Sequence, residues 1–293
     1  MKLLFVYNPH SGVGKIKSQL SDILEIMVKA GYEVTIHPTQ GVMDASSVVA
    51  ACANRYDLVV CCGGDGTLDE TVTGLMQNGA KVPIGYIPAG STNDFAASLE
   101  LPKNMKKAAE IAVNGKDFSC DVGRFGEQHF IYIAAFGLFT DVSYQTKQEL
   151  KNLLGHVAYL LEGAKRIGSH PRYRMRIEYD GGVIEDTFMY GMVTNSLSVG
   201  GIKGMTGKDV ELNDGQFEVM LIRTPSNPIE LNEIIAALTG IRAESDLIYT
   251  FKTTELYVSP YQSIPWTLDG EYGGEHTQVH IKNLQQALRI RIP

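Results

Sequence analysis

The sequence predicts an α/β domain built on a parallel sheet, followed by a β-sandwich domain. Two observations predict the first half. Apolar strand-like runs alternate with helical patterns from Lys2 to about Ala96, the order that gives parallel strands with right-handed crossovers. Three loops rich in small residues, Asn8–Lys15, Gly63–Thr67 and Gly90–Asp94, each follow one of those strands. A third observation predicts the second half. After Ser119-Cys120-Asp121-Val122-Gly123 the alternation stops and strand-forming stretches succeed one another.

The composition fits two domains. The chain has 293 residues, 44% of them hydrophobic, enough to bury a core without staples. A net charge of −7 and a pI near 5.5 exclude broad nucleic-acid binding, which needs a basic surface. Cys52, Cys61, Cys62 and Cys120 form no C-x-x-C or metal-type spacing. They read as reduced core residues of a cytoplasmic protein. The apolar stretch before Asn8-Pro9 is too short for a signal peptide, and no run approaches the roughly 20 apolar residues of a membrane span.

The elements follow in order. Lys2 to Tyr7 is a short apolar strand, and helical spacing runs through Leu20, Ile23, Leu24, Met27 and Val28. The loop between them ends in Gly12-Val13-Gly14-Lys15, and backbone N–H groups ahead of a helix can cradle an anion. It is not a P-loop, because Pro9 stands where the first Gly belongs and Ile16 replaces the Ser or Thr. Nor is it a dinucleotide fingerprint, because Lys17 occupies the last Gly position. A different phosphate loop and a plain strand-to-helix turn both fit. Glu33 to His37 alternates as a strand, Thr39-Gln40-Gly41 closes it, and Ala45 to Ala53 is helical. Leu58 to Cys62 is the continuous apolar run of a central parallel strand. Gly63, Gly64 and Gly66 then allow close backbone approach, with Asp65 in mid-turn. Thr67 is expected to cap the helix Leu68–Met76, with Glu70 at capping-box spacing. Val82 to Pro88 is the next strand, followed by Ala89 to Ala96. Ligands bind beyond the carboxyl ends of such strands, where all three loops fall. Any one of them equally fits an ordinary turn; their convergence is the functional signal.

Asn8-Pro9-His10-Ser11-Gly12, Gly63-Gly64-Asp65-Gly66-Thr67 and Pro88-Ala89-Gly90-Ser91-Thr92-Asn93-Asp94-Phe95-Ala96 together resemble the diacylglycerol kinase catalytic-domain family. That family includes sphingosine and ceramide kinases and is distantly similar to NAD kinase. Leu268-Asp269-Gly270-Glu271 matches its C-terminal Asp-Gly-Glu motif, and Asn213-Asp214-Gly215 an Asp-Gly turn of the soluble bacterial members. The resemblance spans nearly the whole chain. It implies a Rossmann-like first domain of the NAD kinase/diacylglycerol kinase type, residues 1–121 completed by 283–293, and a lipid-side second domain, residues 122–282. Asp69 stands where bacterial relatives usually have Asn, and adds a negative charge near the loop.

The second domain is read from strands at His129–Ala134, Tyr173–Tyr179, Thr187–Thr194, Phe217–Arg223, Thr254–Val258 and Gln278–Lys282, with hairpin turns at Asp180-Gly181 and Asp269-Gly270. A helical stretch over Ser143–Ile167 is amphipathic. Lys147, Lys151, Lys165, Arg166, Arg172, Arg174 and Arg176 surround it against Glu149 and Glu162, which suits either anionic headgroups or a solvated helix edge. Asp209 to Gly215 is rich in oxygen but is no EF-hand, because Asp214 occupies the Gly position. His276 and His280 lie on a strand-like segment and read as surface residues.

The resemblance implies ATP and Mg²⁺ as cofactors and transfer of a γ-phosphoryl group to a lipid hydroxyl. Asn8, Pro9, His10, Ser11, Gly12, Thr39, Gly63, Gly64, Gly66, Thr67, Glu70, Gly90, Ser91 and Asn93 are the expected nucleotide-side residues. Asp65 and Asp94 are the expected metal or acceptor-orienting carboxylates, and Glu271 the expected general base. Asp214 with the carbonyls of Glu211 and Gln216 is the expected structural Mg²⁺ site. The expected partner is diacylglycerol at the inner face of a membrane, with peripheral contact and a homodimer as further expectations. Other acceptors within the same chemistry are a sphingoid base, ceramide, an undecaprenol-like lipid, phosphatidylglycerol or NAD. A non-catalytic nucleotide- or lipid-binding regulator is the alternative of a different class.

Overall fold

The computed structural model describes residues 1–90, 93–138, 172–196, 198–199, 202–203, 210–238 and 245–293. The chain forms two compact units, Met1–Val122 with Gln285–Pro293, and Gly123–Leu284.

The first unit contains β1 (Lys2–Tyr7), α1 (Ile16–Lys29), β2 (Glu33–Pro38), α2 (Asp44–Cys52), β3 (Leu58–Gly63), α3 (Asp65–Asn78), β4 (Ile84–Pro88), α4 (Asp94–Ser98), α5 (Met105–Asn114) and most of β5 (Lys116–Phe125). The strands pair in parallel in the order β2, β1, β3, β4. Near the end of the chain Ile290 pairs beside Ile84. Leu3 to Val6 and Leu58 to Cys62 are wholly buried, as expected of parallel strands covered on both faces. Leu3, Phe5 and Val60 pack with Ile23 and Met27 of α1 and Ala108 of α5. Each of the larger of these side chains contributes about 1.5–3 kcal/mol by leaving water. Helices α2 and α3 approach closely at Gly74, where a Cβ would stand 2.6 Å from the Ser46 carbonyl oxygen.

The second unit contains β6 (Gln128–Phe130), β7 (Ile133–Gly137), β8 (Tyr173–Tyr179), β9 (Gly182–Thr194), β10 (Ser198–Val199), β11 (Ile202–Lys203), β12 (Phe217–Arg223), α6 (Pro228–Leu238), β13 (Ile248–Thr253), β14 (Glu255–Pro260), β15 (Ile264–Leu268), β16 (Glu271–His276) and the start of β17 (Val279–Ile292). It is antiparallel and strand-rich. The strands run β16, β15, β7, β9, β8, β14, β17, with β12 on β9 and β13 on β12. Trp266 anchors the core, edge-on to Phe125 at 5.0 Å and to Phe136 at 4.9 Å.

Several sequence expectations need correction. The strand expected over His129–Ala134 is two strands, β6 and β7, because the N–H groups of Ile131, Tyr132 and Ile133 turn to the Asp269 carboxylate. Strand β13 has no counterpart in the sequence reading, and of β15 and β16 only the turn that joins them does. Helix α3 begins at Asp65, three residues earlier than expected, with Gly64 rather than Thr67 at its N-cap. Thr67 is a buried residue inside the first turn. The basic helical stretch over Ser143–Ile167 lies outside the described residues, as do Ser91 and Asp209. Arg174 and Arg176 belong to β8, where they pair with Glu185 at 2.9 Å and Glu178 at 3.0 Å. The hairpin turns at Asp180-Gly181 and Asp269-Gly270 join β8 to β9 and β15 to β16 as expected. Among the described residues no helix is long and apolar enough to cross a membrane.

Candidate functional site

In the first unit the loops after β1, β3 and β4 meet at the carboxyl ends of the strands. The Asn8 N–H donates to the Cys62 carbonyl at 2.9 Å, and the Ala89 N–H to the Gly63 carbonyl at 2.7 Å. Gly12 has φ +57°, and a Cβ there would overlap the Ala89 carbonyl oxygen. A Cβ on Gly90 would stand 2.6 Å from Gly64 Cα. Each of the three loops therefore touches another through backbone that only glycine permits. The strands beneath them fix the relationship, since Gly63 of β3 pairs beside Pro88 of β4.

Asp65 belongs to the second of these loops and touches the third. It is the first residue of α3 and half-buried. Its Oδ2 accepts the N–H of Asp94, the first residue of α4, at 3.3 Å. Asp94 is itself 6% exposed. The start of α4 is thus tied to Asp65 at the start of α3, where the first N–H groups of a helix lack intrahelical partners. The third loop is strapped by Asn93, which is in the left-handed conformation at φ 54°. Its Oδ1 accepts the Gly90 N–H and its Nδ2 donates to the Gly90 carbonyl, both at 2.9 Å. Beneath it, the Tyr86 hydroxyl lies 3.3 Å from both the Gly63 carbonyl and Asn93 Oδ1. Burial, helped by the Asp65 charge, pushes the Tyr86 phenol well above its usual value, so it remains a donor. Burial likewise pushes the Cys61 thiol up to about 12, so it is an inert core residue.

The other expected nucleotide-side residues divide. Asn8 and Ser11 hold the first loop in shape: Asn8 Oδ1 accepts the His10 N–H at 2.9 Å, and the Ser11 N–H donates to the Asn8 carbonyl at 3.2 Å. Pro9 is half-buried and His10 exposed in the same loop. The Thr39 N–H donates to the Tyr7 carbonyl at 2.9 Å, carrying the β2 end beside the β1 end. The Thr67 N–H donates to the Gly64 carbonyl at 3.1 Å, so it serves the turn. Gly66 lies in the first turn of α3. Glu70 does not close a capping box on its own helix. Its carboxylate accepts the N–H groups of Met43 at 2.8 Å and Ala45 at 3.2 Å, and so caps α2. Met43 is left-handed at φ 63°, which turns the loop toward that carboxylate.

In the second unit the Asp-Gly-Glu segment forms the β15–β16 turn. Asp269 and Gly270 have φ 49° and 84°, the two positive values of a tight hairpin turn. Asp269 is 4% exposed. Its carboxylate accepts the N–H groups of Ile131 at 2.6 Å, Tyr132 at 3.0 Å and Ile133 at 2.9 Å. The Tyr132 hydroxyl donates to the Asp269 carbonyl at 3.1 Å. Glu271 follows on β16 and is exposed. One carboxylate of the motif builds the hairpin and the other is presented by it. Sequence reasoning missed the anchoring part of Asp269, because its partners lie well over a hundred residues away.

The Asp214 turn enters β12. Asp214 Oδ1 accepts the Gln216 N–H at 2.9 Å, and Oδ2 lies 3.4 Å from the Lys252 ammonium. Glu211 is exposed. Glu218, missed in the sequence, lies on β12 3.2 Å from the same ammonium. Burial pushes its carboxyl up to about 7 despite Lys252. A carboxylate and backbone carbonyls are the oxygen donors a hard cation takes, so the turn's chemistry fits Mg²⁺. Among the described residues no three His, Cys, Asp or Glu side chains gather as a metal cluster.

Comparison with known proteins bears on the whole chain. Residues 2–125 match the family model described as diacylglycerol kinase catalytic domain. The chain is 32% identical over 290 residues to a diacylglycerol kinase of Staphylococcus carnosus, covering 98% of this chain and 94% of that one. It is 35% identical over 271 residues to a diacylglycerol kinase of Bacillus subtilis, covering 92% and 89%. A crystal structure from Bacillus anthracis, described as a candidate diacylglycerol kinase, superposes with a TM-score of 0.84 at 26% identity, covering 100% of this chain and 95% of that one.

Proposed function

Since the chain belongs to the diacylglycerol kinase family, we propose that it is an ATP- and Mg²⁺-dependent lipid kinase that converts diacylglycerol to phosphatidic acid. The observation that supports this best is the meeting of three glycine-bearing loops beside Asp65 and Asp94. Phosphoryl transfer needs phosphates held in place, their charge neutralised and a group to take the hydroxyl proton. In this reading the turn backbone of Gly12, Gly64 and Gly66 lies against the phosphates, with Asn8, Thr39, Gly90 and Asn93 shaping the pocket. Asp65, assisted by Asp94, would supply oxygen donors for Mg²⁺ on the nucleotide, and that ion would neutralise the phosphate charge. Asp214, with the carbonyls of Glu211 and Gln216, would hold a second, structural Mg²⁺.

The acceptor oxygen forms its bond to the γ-phosphorus as the bond to the bridging oxygen breaks and ADP leaves. Glu271 takes the hydroxyl proton, since a neutral alcohol is a poor nucleophile and a positioned carboxylate helps as the bond forms. The proposed setting is the cytoplasmic face of a membrane, with peripheral contact through the second unit. Purified protein with Mg²⁺ and γ-labelled ATP, offered diacylglycerol, ceramide, sphingoid base, phosphatidylglycerol and NAD in parallel, tests the reading. Label is expected in phosphatidic acid. Preference for another acceptor, or nucleotide binding without turnover on any, would overturn it.

A further inference from the structure

We propose that Lys252 is a built-in competitor for the cation at the Asp214 turn: its ammonium neutralises Asp214 in the metal-free protein and withdraws onto Glu218 when a divalent ion binds. The proposal rests on the reading of Asp214 as a cation ligand given above. Three placements carry it. Lys252 on β13 and Glu218 on β12 are directly opposite in the antiparallel register. The ammonium lies 3.2 Å from Glu218 Oε1 and 3.4 Å from Asp214 Oδ2, so one cation bridges two carboxylates. Asp214 Oδ1 accepts the Gln216 N–H, and Oδ2 is the oxygen that faces Lys252, so the ammonium occupies space on the carboxylate that a cation would need.

The arrangement is asymmetric. Glu218 is 5% exposed, and a carboxylate that deep depends on its counter-charge. Asp214 is only half-buried and exchanges partners at lower cost. A lysine on a flexible four-carbon stem can pivot between them without moving its strand. A divalent ion and an ammonium a few ångströms apart repel by about 1–2 kcal/mol even at near-aqueous screening. Lys252 therefore lowers the cation affinity of the turn, and Glu218 limits the loss by giving the ammonium somewhere to go. The chain tunes this site through a residue that is not a ligand.

The test is Mn²⁺ binding to the full-length, nucleotide-free protein by calorimetry, with Asp214→Asn used to isolate this site from any other. Lys252→Gln is expected to tighten Mn²⁺ binding about tenfold, a change equivalent to the repulsion removed. Glu218→Gln is expected to weaken it by a similar factor, because the ammonium then stays on Asp214. Lys252→Arg should stay within about threefold of wild type. If Lys252→Gln fails to fold, Glu218→Gln and the double variant Lys252→Gln/Glu218→Gln carry the test, the double variant binding Mn²⁺ about tenfold tighter than wild type because Glu218 acts only through the ammonium. Unchanged affinity in both single variants, or loosening in Lys252→Gln, would overturn the proposal and leave an ordinary ion pair. Mn²⁺ binding unaffected by Asp214→Asn would instead overturn the cation reading of the turn.

Discussion

Asp269 and Ile133 are joined by two hydrogen bonds of opposite sense. The Asp269 N–H donates to the Ile133 carbonyl at 2.8 Å, and the Ile133 N–H donates to the Asp269 carboxylate at 2.9 Å. The same carboxylate takes two more N–H groups from Ile131 and Tyr132. The turn that presents Glu271 is thus locked to a break between two strands far away in sequence.

Asp269→Ala should therefore act on stability. It leaves three buried N–H groups without their acceptor, at a cost of about 3–5 kcal/mol, read as a lower urea midpoint. Glu271→Gln should do the opposite. It is exposed, so stability should hold within about 0.5 kcal/mol, while turnover falls at least about a hundredfold.

Gly12 and Gly90 report on the meeting of the loops. Gly12→Ala would force a Cβ against the Ala89 carbonyl in a left-handed conformation. Gly90→Ala would press on Gly64 and on Asn93 Oδ1. Each is expected to cost about 1–3 kcal/mol in stability and to weaken ATP binding at least about tenfold in a fluorescent-nucleotide titration. A Gly31→Ala control also has positive φ, but its Cβ would meet nothing. It should lose stability alone.

Glu70 should prove architectural. Glu70→Ala removes the acceptor of two N–H groups at the start of α2, a loss of about 1–2 kcal/mol. Glu70→Gln keeps an oxygen acceptor and should restore much of that. Hydrogen exchange of the Met43 and Ala45 amides would show the change directly.

Asp180 sets a dependence on acid. The Thr254 N–H at 2.7 Å, then the Thr254 and Thr253 hydroxyls, hold its carboxyl below the usual range. A depressed carboxylate contributes stability above its unfolded value, about 3.9, and loses it as pH falls through the folded value. Asp180→Asn should be less stable at neutral pH, and its unfolding midpoint should fall less steeply in acid than that of wild type.

Much of the fold was legible because burial is written in apolar runs. Leu3 to Val6 and Leu58 to Cys62 can only be interior strands, and the glycines after them mark where the chain turns. Strand β13 was not legible, since Ile248–Thr253 is mostly half-exposed and mixes polar and apolar residues without a clean alternation. Of β15 and β16 the sequence shows the joining turn but not the strand lengths, because Pro265, Gly273 and Gly274 weaken the strand signal. At the candidate site the loops could be named from sequence, but their partners could not. Glu70 looks like a cap for its own helix until α2 is seen beside it. Asp269 looks like a turn residue until Ile131 to Ile133 are seen to need an acceptor. Local signals carry strand and turn, whereas pairings across the chain depend on packing that no short window contains.

The proposed role of the loops around Asp65 is phosphoryl transfer to a lipid hydroxyl. Its most direct test is the transfer of label from γ-labelled ATP to diacylglycerol by wild type and Asp65→Asn, with matched unfolding midpoints as a control. Wild type is expected to yield labelled phosphatidic acid, and the variant to lose at least about a hundredfold, the scale of a removed charge-stabilising group. Equal labelling by both proteins, or none by wild type, would contradict it.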